Sequence, residues 1–210
     1  KFNKSESEIQ NIISKCSDKL LETRNKRVQP GKDDKIITSW NGLMISGFLA
    51  GYRITNNTNY LDVAKKSIDF FENNFEKNHI LHRTFKNNEP KLNGYLDDYA
   101  YMASASIDMF QNTSDPKYLL FATNLANHLI THFWDDSTHG FFFTSDNHEK
   151  LIIRPKNNYD LSMPSGNSVA AHVLLRLYYI TQNKQFLEIA QKIIESQATA
   201  AAENPFAFGY

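Results

Sequence analysis

Residues 41–75, NGLMISGFLAGYRITNNTNYLDVAKKSIDFFENNF, read as a helix, a short polar turn and a second helix. The same reading returns in residues 98–134, DYAYMASASIDMFQNTSDPKYLLFATNLANHLITHFW, and in residues 167–197, NSVAAHVLLRLYYITQNKQFLEIAQKIIESQ. A fixed internal ruler accompanies it. Tyr60–Leu61 follows Asn41 by 19 residues, Tyr118–Leu119 follows Asp98 by 20, and Phe186–Leu187 follows Asn167 by 19. The three starts are 57 and 69 residues apart. A single helical hairpin cannot bury its apolar face alone, so tandem copies must stack.

Within each unit the first helix is apolar nearly all round and rich in small residues: Gly47 and Gly51, then Ala100, Ala103 and Ala105, then Ala170 and Ala171. Such a helix is buried on most sides. The second helix carries a charged face, Lys65, Lys66 and Glu72 or Glu188, Lys192 and Glu195, and belongs outside. An inner row of first helices and an outer row of second helices describes an all-α, α/α toroid. Leu43, Ile45, Leu49, Val173, Leu174 and Leu177 are then expected to be buried, and Lys65, Lys66, Lys192 and Glu195 exposed. An open tetratricopeptide-type solenoid shares the hairpin pattern, but its repeat of about 34 residues is far shorter than the spacings here. The long connections, roughly 77–96 and 134–164, hold strand-like runs, HILHRTF and GFFFTS, expected to form small β-hairpins on one rim. The chain reads as one partial toroid domain over 1–210, with hairpins near 40–77, 97–134 and 165–200.

Upstream, residues 5–26 place Ile9, Ile12, Ile13, Cys16, Leu20 and Leu21 on one helical face, and Ser5 with Glu8 forms a capping-box pattern. Pro30 and Gly31 then break the helix. The 23 basic and 23 acidic residues cancel, which argues against nucleic acid or an anionic membrane as partner. One cysteine, Cys16, excludes an internal disulfide framework and a cysteine-built metal site. No apolar run approaches the ~18 residues of a membrane span, and no signal-like start is present. The expectation is a cytoplasmic protein with no cofactor and no metal.

The blocks LLETRNKRVQPGKDDKIITSWNGLMI (20–45), LNGYLDDYAYM (92–102) and GFFFTSDNHEKLIIRPKNNYDLSMPSGNSVAAHVLLRLY (140–178) resemble consecutive blocks of the YyaL-like family, the family of spermatogenesis-associated protein 20. The resemblance implies an N-terminal thioredoxin-like domain joined to a six-hairpin, glycosidase-like (α/α)6 barrel. No thioredoxin-like segment is present in these 210 residues, and three hairpins of six are accounted for. The chain is therefore expected to be a fragment of the barrel, with ENPFAFGY leading toward a fourth inner helix. Its partners would be a sugar ligand and the remainder of the same polypeptide. Its two open apolar flanks would favour self-association.

The chemically interesting residues collect at the starts of the inner helices. Asp33, Asp34, Trp40 and Asn41 precede or open the first, Asp97, Asp98 and Tyr99 the second, and Ser165 and Asn167 the third. Inner helices running the same way around a ring turn these N-termini toward one mouth, where unpaired N–H groups and partial positive charge favour hydroxyl-rich or anionic ligands. Carboxylates, amides and an indole are what sugar binding uses. The ordinary alternative is that Asp, Asn and Ser cap their own helices, but the doubled pairs Asp33–Asp34 and Asp97–Asp98 each leave one carboxylate without that job. Asp34 and Asp98 are the catalytic candidates; Asp33, Trp40, Asn41, Asp97, Tyr99, Ser165 and Asn167 are substrate-binding candidates. A glycosidase needs two carboxyl groups about 5–5.5 Å or about 6.5–9.5 Å apart. His172, on the third inner helix, is the acid–base candidate of an epimerase-type site. His128 and His132 have helical metal-ligand spacing without the glutamate of the H-E-x-x-H motif. His82 and Arg83 sit in a rim loop, and Arg154, Lys156 and Asp160 are expected to pin the rim by salt bridges. The function read from these residues is carbohydrate-binding or carbohydrate-active, of hydrolase or epimerase type. The alternative is a non-catalytic scaffold docking a partner or a thioredoxin-like redox domain.

Overall fold

The computed structural model describes residues 3–87, 89–149 and 152–210, the side chains of Glu76 and Asn78 excepted. The chain divides into two units, residues 1–34 and 35–210. In the first, helix α1 (Glu6–Asn25) starts where the capping box puts it. Ser5 Oγ accepts from the Glu8 N–H at 3.3 Å, and the Glu8 carboxylate accepts from the Ser5 N–H at 2.7 Å. Cys16 and the apolar residues Ile9, Ile12, Ile13, Leu20 and Leu21 are exposed.

The second unit runs β1 (Ile36–Ile37), α2 (Thr38–Thr55), α3 (Thr58–Asn78), β2 (His82–Lys86), β3 (Glu89–Asn93), α4 (Leu96–Thr113), α5 (Pro116–His132), α6 (Gly166–Thr181) and α7 (Lys184–Glu203), with a 3-10 turn at Pro205–Ala207. Each hairpin turns by the same chemistry. The inner helices end on Thr55, Thr113 and Thr181, whose hydroxyls donate to the carbonyls of Gly51, Met109 and Leu177 at 2.8, 2.8 and 2.7 Å. The next residue, Asn56, Ser114 or Gln182, takes the left-handed conformation that ends a helix. Asn57, Asp115 or Asn183 then caps the outer helix by accepting the N–H two residues on, each at 3.1 Å.

Helix α4 packs on α2, α5 and α6, while α3 and α7 pack on α2 and α6. The row α2–α4–α6 is thus inner and α3, α5 and α7 are outer. Burial follows: α4 is buried along almost its whole length, from Leu96 to Met109 with Asp97 and Asp108 as the partly open residues. Ile45, Leu49, Val173, Leu174 and Leu177 are core, and Lys65, Lys66, Lys192 and Glu195 are exposed. Leu43 departs from expectation at 38% exposed, because it lines a cavity between the inner helices. The close helix approach falls on Gly42, where an added Cβ would lie 2.8 Å from the Tyr101 backbone, and Gly47 faces open space.

On the rim, β1, β2 and β3 form an antiparallel sheet in that order, with Ile36 opposite Phe85 and His82 opposite Asn93. The GFFFTS run makes a single bridge, Trp134 to Phe141, instead of a hairpin. The three phenylalanines part company: Phe141 is core, Phe142 lies under the Arg154 guanidinium at 4.3 Å, and Phe143 stacks on Tyr95 at 4.8 Å. Among the described residues no helix is long and apolar enough to cross a membrane.

Candidate functional site

The adjacent aspartates that open α4 reach opposite ways. Asp98 is fully enclosed. Its Oδ2 accepts from the Tyr95 N–H at 2.9 Å, closing a capping box on its own helix. Its Oδ1 accepts from the Ser39 N–H at 2.9 Å and from Arg83 Nη1 at 3.0 Å. The α2 N-cap position is Ile37, which has no capping side chain, so Asp98 supplies the missing cap from the next inner helix. Burial pushes its carboxyl up to about 6, against the opposing pull of the Arg83 guanidinium and the N–H groups of Tyr95 and Ser39.

Asp97 turns the other way, toward α6. Its carboxylate lies against the Gly166 backbone, where a Cβ would come within 2.5 Å of Asp97 Oδ1. Asp97 is partly open and lines a cavity of about 300 Å³ with Asn157, Asn158, Tyr159, Ser165 and Gly166. Burial raises its pKa, with the Arg83 charge and the Gly166 N–H opposing. The far wall is held by Lys156, which pairs with Asp135 at 2.7 Å.

The other sequence candidates fall as follows. Ser165 is the N-cap of α6, accepting from the Ser168 N–H at 3.0 Å, and shares the Asp97 cavity. Asn167 is buried; its Oδ1 accepts from the Phe141 N–H at 2.7 Å and its amide donates to the Phe141 and Asn157 carbonyls. Gly140, at a φ of 87° that glycine tolerates, brings the chain to that clamp. Tyr99 is buried with its hydroxyl accepting from the Leu81 N–H at 2.9 Å. Asn41 donates to the Ile37 carbonyl at 2.8 Å, and Trp40 is exposed. Asp33 and Asp34 belong to the first unit. The structure therefore brings Asp97 and Ser165 to one cavity and ties Asp98 to the start of α2.

The remaining cluster residues take structural positions. His128 stacks on Tyr99 at 4.6 Å and is driven down to about 4, chiefly by burial. His132 bonds Asp146 at 2.8 Å, and no metal-binding group of three occurs among the described residues. Arg154 bonds the His132 and Thr144 carbonyls, and Asp160 accepts the N–H of Ser165 at 2.7 Å. Of the three residues expected to pin the rim by salt bridges, Lys156 does so with Asp135, whereas these two act through backbone contacts.

Sequence reasoning missed a second polar group. Ser46, Asp108 and Arg176 meet between the inner helices, with Ser46 Oγ and Arg176 Nη2 each 2.6 Å from the Asp108 carboxylate. The signal was there: Asp108 and Arg176 are charges set inside otherwise apolar inner helices.

Three hairpins with an inner and an outer row define half of a six-hairpin glycosidase-like fold. The model of glycosyl hydrolase family 76 matches residues 6–200, and the chain belongs to that family. It is 28% identical over 89% of its length to an uncharacterised protein of Caenorhabditis elegans and 26% identical over 86% to human spermatogenesis-associated protein 20. It spans 26% and 24% of those relatives, about a quarter of their length. Among solved structures it resembles a family 76 α-mannanase of Bacteroides thetaiotaomicron (TM-score 0.66, 18% identity, 82% of this chain and 47% of that one). It also resembles a cellobiose 2-epimerase of Bacillus thermoamylovorans (0.66, 16%, 79% and 45%). A third is an α-1,6-mannanase of Salegentibacter sp. HEL1_6 (0.63, 16%, 83% and 49%), an inactive variant with two consecutive aspartates exchanged for asparagine, in complex with α-1,6-mannotriose.

The raised pKa of Asp98 has a signed consequence. Between the ordinary value of 3.8 and about 6 the folded protein holds a proton that the unfolded chain releases, so this contribution to stability is full below that window and is lost as pH rises through it. Urea unfolding of wild type minus Asp98→Asn is expected to decline from pH 4 to pH 6 and to be flat above. A pH-independent difference would contradict it.

Proposed function

We propose that this chain supplies half of a sugar-binding toroid and that Asp97 is the carboxyl group that meets the sugar at its mouth. The observation that carries this reading is the division of the aspartate pair. Asp98 is committed to backbone and Arg83, whereas Asp97 opens onto the cavity of about 300 Å³ beside two asparagines, a tyrosine and the start of α6. Planar amides and a carboxylate suit sugar hydroxyls, and an aromatic ring suits the apolar face of the sugar. A partly buried carboxyl of raised pKa is suited to protonate a leaving oxygen. The mannanase inactivated at two consecutive aspartates supports a short mannose chain as the ligand class and favours the hydrolase over the epimerase type. Asp33 and Asp34 keep the candidacy of their doubled sequence, and Trp40, Asn41 and Tyr99 that of their place at inner-helix starts.

A second reading, a non-catalytic module that docks a partner, draws on the full engagement of Asp98, which leaves neither oxygen open to a substrate. On the family resemblance we further place the chain in a cytoplasmic protein whose remaining length includes a thioredoxin-like domain. Recovery of the full-length protein from a secretory or membrane fraction would contradict that placement. We also propose that the isolated chain self-associates through apolar side chains left uncovered, Met44 and Ile54 on α2, Tyr179 on α6 and Ile194 on α7; a strictly monomeric sedimentation profile would contradict this.

In the full-length protein, Asp97→Asn is expected to weaken α-1,6-mannotriose binding tenfold or more, measured by calorimetry, with little change in the thermal midpoint. Equal affinity for wild type and variant, or no binding by wild type, would favour the docking module.

A further inference from the structure

Ser46 on α2, Ser104 and Asp108 on α4, and His172 and Arg176 on α6 line a trough of about 280 Å³ between the three inner helices. Along α4, Asp108 lies ten residues beyond Asp98, about 15 Å at helical rise, so this group sits well inside the mouth. The polar side chains are linked: Ser46 Oγ donates to Asp108 at 2.6 Å, and Arg176 donates to Asp108 at 2.6 Å and to Gln111 at 2.9 Å. The ion pair is nearly enclosed, with side chains 16% and 17% exposed.

As a device for stability this arrangement is poor. A buried ion pair gains little over well-packed apolar residues of the same volume, and the core of these helices is otherwise largely apolar, with Ile45, Leu49, Met102, Ile107, Val173 and Leu177 buried. The pair instead faces unfilled space. We propose that the trough binds one neutral sugar unit, as a site separate from the Asp97 cavity.

Its chemistry selects that ligand. Arg176 is already neutralised by Asp108, which leaves no spare positive charge for a phosphate or uronate. One carboxylate is too few for a divalent cation. Leu43 and Val169 give an apolar wall for the C–H face of a sugar ring, and the serines, Asp108 and Arg176 offer donors and acceptors for its hydroxyls. At about 30 Å³ per water the trough holds on the order of nine waters, the scale of one sugar ring and too small for a chain of them.

The proposal takes the sugar chemistry of the mouth reading as its premise, and the test separates the two sites. His172 borders the trough and a larger apolar cavity beside α7, but not the Asp97 cavity. Its imidazole signals, assigned with His172→Gln, therefore report on the trough where substitutions at Leu43 and Ser46, which line the trough and not that larger cavity, change them. The full-length protein is titrated with methyl α-mannoside. Saturable shifts of the His172 signals are expected in wild type and in Asp97→Asn. Leu43→Trp fills the trough from an exposed position, and Ser46→Ala removes one hydroxyl without breaking the ion pair. The first is expected to weaken the His172 response at least tenfold and the second several-fold, both with an unchanged thermal midpoint. Shifts that persist unaltered in Leu43→Trp, or no His172 response in wild type, overturn the trough site. Loss of the response only in Asp97→Asn assigns the binding to the mouth and also overturns it.

Discussion

Two consecutive carboxylates at the start of α4 reach the starts of both neighbouring inner helices, Asp98 bonded to α2 and Asp97 packed against α6. Asp98 accepts the N–H of Ser39 on α2 and the guanidinium of Arg83 on β2 while capping its own helix through Tyr95. Asp97 Oδ1 lies against the Gly166 backbone at the start of α6, so close that a Cβ there would come within 2.5 Å of it. Helix N-termini carry unsatisfied donors and partial positive charge, so Asp98 satisfies donors at two such ends, and Asp97 sets a second negative side chain beside the third. Removing one partner of the Asp98–Arg83 pair leaves the other uncompensated, typically a loss of about 3–5 kcal/mol for a buried pair. The rest of the mouth is arranged around this staple. Ile37 can precede α2 without capping it, Gly166 has to lack a side chain, and the β2 strand has to bring Arg83 alongside.

That constraint also separates the two carboxylates. Asp98 is committed to backbone and Arg83, whereas Asp97 packs against a single helix end and opens onto a cavity. The buried tyrosines extend the same logic: Tyr101 donates to the Pro164 carbonyl just before α6, and Tyr99 accepts from Leu81 just before β2. The first fixes the loop that carries the cavity wall, and the second fixes the entry to the rim sheet.

Much of the fold was legible because its signals are local and repeated. The helical period, the 19- and 20-residue ruler and the small residues of the inner row each follow from how a hairpin buries its face. Asp97 and Asp98 stood out because capping needs one carboxylate and the sequence provides two. Their division of labour was not legible, since it depends on which neighbour each side chain reaches, a property of the packed row. Leu43 was misread for a related reason: period places it on the inner helix, but only the assembled helices show a cavity beside it. Asp108 and Arg176 lie 68 residues apart and carry no motif, so their pairing became visible only with α4 against α6.

The central claim, that Asp98 holds the mouth while Asp97 meets the sugar, is tested most directly by following the side-chain carboxyl carbons of both aspartates by NMR in the full-length protein as α-1,6-mannotriose is added. The account predicts a saturable shift at Asp97 and none beyond a small indirect change at Asp98. A response centred on Asp98, with Asp97 unmoved, would contradict it.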